Sequence, residues 1–175
     1  SGKTTTLTSL VDYLNKKFEI NILTIEDPIE YIHKPKKATI TQQEVGSDVP
    51  SFASAMKSAL RRDPDVILIG EMRDLETIEI ACQAAETGHL VFGTLHTNSA
   101  ISSIDRIVNV FPGIERQNIR SQLASNLRMI INQRLLPRKE GGLVPAYETL
   151  IVTNPMRHAI RDSDYRSLER IIADS

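Results

Sequence analysis

The fold class is decided by one stretch of sequence, DPDVILIGE at residues 63–71. Its centre, Val66–Ile69, is an unbroken run of aliphatic residues between a proline-containing turn and a glycine. Such a compact run is typical of a strand that is buried on both faces, as in a parallel sheet covered by helices. An acid, Glu71, follows the strand and its glycine, at the edge where open α/β sheets bind ligands. The stretch therefore predicts a buried strand that delivers a functional carboxylate.

Helical and strand-like patterns alternate on both sides of this strand. Apolar residues at helical spacing predict a first helix from about residue 4 to residue 17. Similar stripes predict helices over residues 52–60, over 78–85 with Gly88 as the closing residue, over 99–110 and over 114–134. Short apolar runs predict strands over 20–25, 39–41, 90–96 (also buried) and 144–152, and Asn154-Pro155 predicts an N-cap and the first position of a last helix. This order predicts an α/β fold, a mostly parallel sheet flanked by helices.

The composition is that of an ordinary globular protein. The 175 residues are 41% hydrophobic and 25% charged, enough for one domain. A formal net charge of −1 argues against a protein whose main task is to bind nucleic acid. The one cysteine, Cys82, cannot form an internal disulfide and fits a reducing compartment. Because no apolar run approaches the roughly 20 residues needed to span a bilayer, we expect a location in the cytoplasm.

The chain begins at Ser1 without a methionine and ends at Ser175, directly after an amphipathic segment. We therefore expect residues 1–175 to be a single domain, truncated at both ends. The start of the first motif is expected to be missing as well, because the signature described next needs a glycine that would precede residue 1.

The opening residues match the closing half of the phosphate-binding (Walker A) signature, G-x-x-x-x-G-K-[ST]. In that signature glycine lets backbone N–H groups approach phosphate, and Lys3 places a cation on the β and γ oxygens. The Thr4 hydroxyl can bind Mg²⁺, and the helix that follows directs its positive end at the anion. The predicted nucleotide-binding residues are Ser1, Gly2, Lys3, Thr4 and Thr5. The alternative is an ordinary exposed helix start, since the matched core of the signature is short.

Acidic residues at two strand ends are candidates for the chemistry of phosphate hydrolysis. Gly70 stands where a conventional Walker B strand has aspartate, so Glu71 is the candidate general base. After the preceding strand come Glu26, Asp27 and Glu30, of which at least one is expected on the metal side. Helix capping is the favoured alternative for Asp27, and a solvated loop is the alternative for the two glutamates.

Two histidines bracket the predicted strand over residues 90–96. His89 and His96 are seven positions apart. They would project to opposite faces of a regular strand, which disfavours a shared metal site. His96 follows Thr94 at the carboxyl end and could contact a γ-phosphate. His89 follows a glycine and could equally be a packed structural histidine.

Five stretches of the chain resemble the type II/type IV secretion ATPases, and most of all the type IV pilus retraction (PilT-like) branch. They are SGKTTTL at residues 1–7, LTIEDPIEYIH at 23–33, ALRRDPDVILIGEMRDLET at 59–77, AAETGHLVFGTLHTNSA at 84–100 and QRLLP at 133–137. They are similar, in order and spacing, to the Walker A, Asp-box, Walker B and His-box motifs of that family. The resemblance implies a RecA-like P-loop NTPase core, with residues 1–175 as the C-terminal catalytic domain of a protein that also has an N-terminal domain.

The resemblance also implies roles for individual residues. It favours Glu30 over Glu26 as the second catalytic acid beside Glu71, and it places Thr4 and Glu30 near Mg²⁺, through nucleotide or water. It makes the two histidines a functional pair, and it gives two arginines a role in stabilising phosphate charge or bridging subunits. The implied catalytic residues are Glu71, Glu30, His96, His89, Arg73 and Arg62. For the arginines, salt bridges to their neighbours Asp63 and Asp74 are the alternative.

By the same resemblance the chain is an ATPase that uses ATP and Mg²⁺, works as a homo-hexamer and powers pilus retraction, the basis of twitching motility. The implied partner is the pilus platform protein of the inner membrane, and the implied location is the cytoplasm, peripheral at the face of that membrane. Pilus assembly or type II secretion ATPases are the close alternative, but those usually carry two C-x-x-C pairs in a zinc loop. Here the corresponding residues 138–143 hold no cysteine, so no zinc is expected.

Two further classes of protein share this kind of nucleotide core. A DNA-translocating motor is disfavoured by the near-neutral charge and by the few aromatic residues available for base stacking, four Tyr, four Phe and no Trp. A nucleotide-binding switch that does not turn over is disfavoured by the presence of Glu71. We therefore expect no direct contact with nucleic acid.

Overall fold

A computed structural model describes residues 2–139 and 141–173. Its elements are α1 (Lys3–Lys17), β1 (Asn21–Glu26), β2 (Thr39–Glu44), α2 (Phe52–Ala59) with a 3₁₀ turn (Leu60–Arg62), β3 (Val66–Ile69), α3 (Leu75–Glu86), β4 (Leu90–Gly93), α4 (Ala100–Val110), α5 (Arg116–Asn126), β5 (Met129–Pro137), β6 (Leu143–Ile151), α6 (Asn154–Asp162) and α7 (Tyr165–Ala173). They form two compact units, Lys3–Leu95 and a second unit of Gly2 with the described residues from His96 onward. A single domain over residues 1–175 stays a prediction.

The first unit is built on a four-stranded parallel sheet in the order β2-β1-β3-β4. All four residues of β3 are buried, as the sequence predicts. In the register of the sheet, Ile25, Ile69 and Gly93 stand side by side. The segments that follow β1, β3 and β4 therefore leave the sheet at one edge, which is called the carboxyl edge below.

Helices cover both faces of this sheet. One face packs against α2 and α3, and the other face packs against α1. Burial of each large aliphatic side chain contributes about 1.5–3 kcal/mol, so β1 and β3 form a rigid support for the carboxyl edge. The predicted α/β class, with helices on both faces of a parallel sheet, is confirmed. The central side chains that are shielded from solvent are Ile22, Ile25, Met56, Ile67, Ile69 and Val11.

The second unit combines four helices with an antiparallel hairpin. Strands β5 and β6 pair from Met129 opposite Ile151 to Pro137 opposite Leu143. The predicted helix over residues 114–134 is therefore wrong beyond α5, which ends at Asn126. The apolar residues of β5 fit a helical spacing as well as a strand, and pairing along the whole length of β6 decides for the strand.

Two smaller differences from the predictions concern element ends. Strand β4 ends at Gly93, and its first residue Leu90 is 44% exposed, because β4 is an edge strand within the described residues. Helix α6 begins at Asn154, and Thr153 occupies the N-cap position that was predicted for Asn154. Since proline is tolerated throughout the first helical turn, Pro155 does not fix the start to one residue. No helix in the described part of the chain is long and apolar enough to cross a membrane.

Candidate active site

The first helix starts at the carboxyl edge of the sheet. Lys3 is the first residue of α1, and the first turn contains no acidic residue. The positive end of the helix dipole and the free N–H groups of this turn therefore favour an anion. The Lys3 Nζ donates a hydrogen bond of 2.5 Å to the carbonyl oxygen of Leu95, which lies just beyond β4. Thr4 is half-buried beside it, and Thr5 is exposed.

Of the other two residues of the predicted phosphate-binding set, the structure describes Gly2. Gly2 belongs to the second unit and has a φ of +70°. A Cβ on Gly2 would lie 2.7 Å from the side-chain nitrogen of Gln133, so only glycine fits without rearrangement. Ser1 lies outside the described residues.

The loop after β3 is fixed from both sides. The Gly70 N–H donates to the Ile25 carbonyl oxygen at 2.7 Å. On the other side, the Thr94 hydroxyl donates to the Gly70 carbonyl oxygen. The Met72 N–H donates to the Thr94 carbonyl oxygen at 3.0 Å. Glu71 stands between these anchored residues, so its backbone is held in place at the carboxyl edge.

The structure explains why glycine occupies position 70. A Cβ there would lie 3.1 Å from the Ile25 carbonyl oxygen and 3.3 Å from the Glu26 Cα. Both atoms belong to the backbone of β1, which the sheet holds rigidly. The aspartate of a conventional Walker B strand would press its side chain against this backbone.

We expect the Gly70→Ala variant to lower the free energy of unfolding by about 1–3 kcal/mol, because the added methyl group overpacks against β1. Urea unfolding followed by circular dichroism measures this effect. The matched control is Gly113→Ala, where a Cβ meets nothing within 4 Å and φ is ordinary. Equal urea midpoints of unfolding for Gly70→Ala and Gly113→Ala would contradict this explanation of Gly70.

Glu71 forms an ion pair with Arg73. The side chain of Glu71 is only 18% exposed, whereas that of Arg73 is 63% exposed. The hydrogen bond to Glu71 raises the pKa of the Arg73 guanidinium. The alternative salt bridge between Arg73 and Asp74 is therefore wrong. Asp74 instead caps α3 and accepts from the N–H and the hydroxyl of Thr77, both at 2.8 Å.

The acids after β1 differ in their surroundings. Glu26 accepts from the Thr24 hydroxyl at 2.6 Å and from the Gln42 amide at 3.1 Å. Glu30 is exposed, and among residues 2–139 and 141–173 its carboxylate has no hydrogen-bond or ion-pair partner. Asp27 is followed by an irregular loop, so its interpretation as a helix cap is wrong. The residues alone left Glu26 and Glu30 equal, and of these two it is Glu30 whose carboxylate has no partner among the described residues.

The structure does not bring His89 to the carboxyl edge. Its Nδ1 lies 3.0 Å from the Ala84 carbonyl oxygen and 3.1 Å from the Thr87 hydroxyl, where it closes the end of α3. The four residues of β4 separate it from the carboxyl edge by about 13 Å. This geometry matches the packed structural histidine of the alternative interpretation, and a catalytic His89 stays a prediction.

Two further predicted residues are exposed. His96 belongs to the second unit. Arg62 ends the 3₁₀ turn after α2, and the described residues contain no ion pair between it and Asp63. Their proposed roles rest on the family resemblance.

The chain is similar to proteins of a known family. Residues 1–166 match the model of a family described as Type II/IV secretion system protein. The chain belongs to this family. It is 54% identical over 162 residues to the type IV pilus retraction ATPase PilT of Pseudomonas aeruginosa, covering 93% of this chain and 47% of that protein. It is 50% identical over 173 residues to a twitching motility protein of Neisseria gonorrhoeae, covering 98% of this chain and 46% of that protein.

A solved structure of a family member has the same fold. The crystal structure of the pilus retraction motor PilT with bound ADP superposes with a TM-score of 0.95 at 53% identity. The aligned region covers 98% of this chain and 50% of the PilT chain. The RecA-like core that the resemblance implied is thus confirmed. The chain spans about half the length of the relatives that it matches.

The residues of this chain fit a magnesium ion that would be held mainly by nucleotide. Among the described residues, no group of three or more His, Cys, Asp or Glu side chains is placed to hold a metal ion. Mg²⁺ in phosphoryl-transfer sites needs only one or two protein oxygens, with phosphates and waters completing its octahedron. The Thr4 hydroxyl in the first turn of α1 and the unpartnered Glu30 carboxylate are oxygens of this kind.

A polar side chain that orders one of the loops of the first unit was not predicted from the sequence. Asn15 of α1 is fully buried, and its amide binds the backbone of Lys34 and Lys36, both at 2.8 Å. An asparagine one position after Leu14 in the apolar stripe of a helix was the available signal. Buried polar side chains are normally hydrogen-bonded, so Asn15 required a partner. It anchors the end of the loop that carries Glu30.

Proposed function

We propose that this chain is the catalytic domain of an ATPase that powers type IV pilus retraction. The main support is that Lys3 and Glu71 both lie beside the loop that follows β4. The Leu95 carbonyl oxygen accepts a hydrogen bond from Lys3, and Thr94 forms hydrogen bonds with the residues on both sides of Glu71. A phosphate-binding cation and a candidate base thus share one edge of a parallel sheet. Family membership and the bound ADP of the PilT structure support nucleotide as the ligand.

Each residue has a defined task in this proposal. Lys3 and the first turn of α1 bind the phosphates, and Glu71 orients the attacking water and accepts its proton. Thr4 and Glu30 would hold Mg²⁺, directly or through water, and the ion supplies charge neutralisation at the β and γ oxygens when it is bound. In this structure Arg73 forms an ion pair with Glu71. This ion pair must open before Glu71 can accept a proton from the attacking water.

The other family residues have roles at the γ-phosphate or between subunits. We propose that His96 contacts the γ-phosphate and that Arg62 and Arg73 stabilise phosphate charge from this or a neighbouring subunit. The protein would assemble as a homo-hexamer at the cytoplasmic face of the inner membrane and act on the pilus platform protein there. Neither zinc nor nucleic acid has a part in this proposal.

We expect the full-length protein to hydrolyse ATP at a steady rate that disappears when EDTA removes Mg²⁺. The release of phosphate, measured with and without EDTA, tests this. Binding of nucleotide without turnover would instead favour a nucleotide-controlled switch.

The direction of force is tested in a piliated bacterium that carries this gene. Deletion of a retraction motor should leave cells with pili that no longer shorten, which microscopy of labelled pili can show. Loss of pili would indicate an assembly ATPase. Normal pilus dynamics with loss of secreted proteins would indicate a type II secretion ATPase.

A further inference from the structure

The loop that carries Glu30 is held on both sides of that residue by side chains of β2. Residues 27–38 connect β1 to β2 without a helix or strand. The Ile29 N–H donates to Glu44 Oε2 at 2.8 Å. The Gln42 Nε2 donates to the Tyr31 carbonyl oxygen at 2.9 Å. The backbone is therefore anchored immediately before and immediately after Glu30.

The amide of Gln42 has its orientation fixed by its partners. Besides the bond to Tyr31, its Nε2 donates to Glu26 Oε1 at 3.1 Å, and its Oε1 accepts from the His33 N–H at 2.8 Å. Both amide hydrogens and one oxygen lone pair are thus in use. A flipped amide would set its oxygen against two acceptors and its NH₂ group against a donor, so only one orientation satisfies all three bonds.

Strand β2 gives these side chains a rigid base. It pairs with β1 along its whole length, from Asn21 opposite Thr39 to Glu26 opposite Glu44. Because side chains alternate along a strand, Gln42 and Glu44 share one face with Ile40, which packs against the core under α1. The loop is consequently tied to the parallel sheet of the first unit, while the Glu30 side chain itself is exposed.

We propose that Gln42 and Glu44 are positioning residues for Glu30. They fix the backbone at Ile29, Tyr31 and His33, and they thereby restrict the positions that the exposed Glu30 carboxylate can take. Preorganised groups of this kind lower the cost of reaching the reactive geometry. This inference rests on the proposed function, because Glu30 needs positioning only if the protein hydrolyses nucleotide.

The first test measures the order of the loop without reference to activity. In the nucleotide-free full-length protein, Gln42→Ala should increase the rate of amide hydrogen exchange in the peptide over residues 29–33 by at least tenfold, because the His33 N–H and the Tyr31 carbonyl lose their partner. The matched control is Gln43→Ala, the same change at the next position on the opposite face, where the described residues supply no hydrogen-bond partner for the side chain. Equal exchange in the two variants would overturn the proposal.

The second test separates positioning from general stability. We expect Gln42→Ala to lower kcat by about 10–100-fold and to change the nucleotide Kd by less than twofold, since supporting residues typically contribute that much. Glu44→Ala should act in the same direction. Glu44→Gln, which keeps an oxygen that can accept from Ile29, should restore most of the rate.

A double variant shows whether the effect passes through Glu30. In a Glu30→Gln background, Gln42→Ala should cause no further loss of kcat, because residues that act as a unit are not additive. The positioning role of Gln42 would be overturned if the losses of kcat from the two changes multiplied. It would also be overturned if Glu30→Gln hydrolysed ATP as fast as the parent. A parent protein without ATPase activity would overturn the proposed function, and the exchange measurement would still decide whether Gln42 orders the loop.

Discussion

The Glu71→Gln variant of the full-length protein is expected to hydrolyse ATP about 10²–10⁴-fold more slowly than the parent while it still binds nucleotide. Loss of a general base typically has this effect, which corresponds to about 3–5 kcal/mol of activation free energy. Glutamine has the same shape as glutamate but cannot accept the proton of the attacking water. Because Glu71 stands on a backbone fixed by Ile25 and Thr94, the exchange should leave the loop in place.

Phosphate release and nucleotide titration, measured on the same preparations, test this prediction. The control is Glu79→Gln, the same chemical change on an exposed position of α3. Its rate should match that of the parent. If Glu71→Gln also matches the parent, Glu71 is not the base. If Glu71→Gln loses nucleotide binding together with turnover, the residue acts in binding.

Replacement of Lys3 by alanine is the second large expected effect. We expect the Kd for ADP to rise about 10–150-fold, because a charge-assisted hydrogen bond to phosphate contributes about 1.5–3 kcal/mol. The ammonium group of Lys3 supplies the cation at the start of α1, where the first turn holds no acid to compete for it. Calorimetric titration with ADP measures the change.

A lysine at the other end of the same helix gives the matched control. Lys17 is the last residue of α1, and it lies about 21 Å from Lys3 along the helix axis. Lys17→Ala removes the same charge and should leave the Kd unchanged. A Kd that is unaffected by Lys3→Ala would contradict the assignment of α1 as the phosphate-binding helix. Thermal unfolding of both variants separates lost binding from lost structure, since Lys3 also contacts the Leu95 carbonyl.

Much of the fold could be predicted because its determinants are local. The aliphatic run at Val66–Ile69 has no stable position except a doubly covered strand, and the structure buries all four residues. The hairpin could not be predicted in this way. Met129–Pro137 fits either periodicity, and its pairing with β6, more distant in the chain, selects the strand.

In the candidate site, too, residues that depend on one segment could be predicted, and residues that depend on distant partners could not. Motif and strand position alone located Lys3 and Glu71, because a phosphate loop needs its cation at a helix start and a parallel sheet exposes its acids at the carboxyl edge. The choice between Glu26 and Glu30 depended on partners that are distant in sequence. Gln42 of the next strand donates a hydrogen bond to Glu26, whereas the described residues supply no partner for the Glu30 carboxylate.

The sequence by itself determined the fold class, the lysine at the start of α1 and the acid after β3, because each follows from residues within one element. Only the tertiary structure decided which acid of the β1 loop lacks a partner among the described residues, that a Cβ at position 70 would crowd the backbone of β1, and that His89 lies at the opposite end of β4. These features depend on hydrogen bonds and close contacts between segments that are far apart in the chain. No local pattern of residues encodes them.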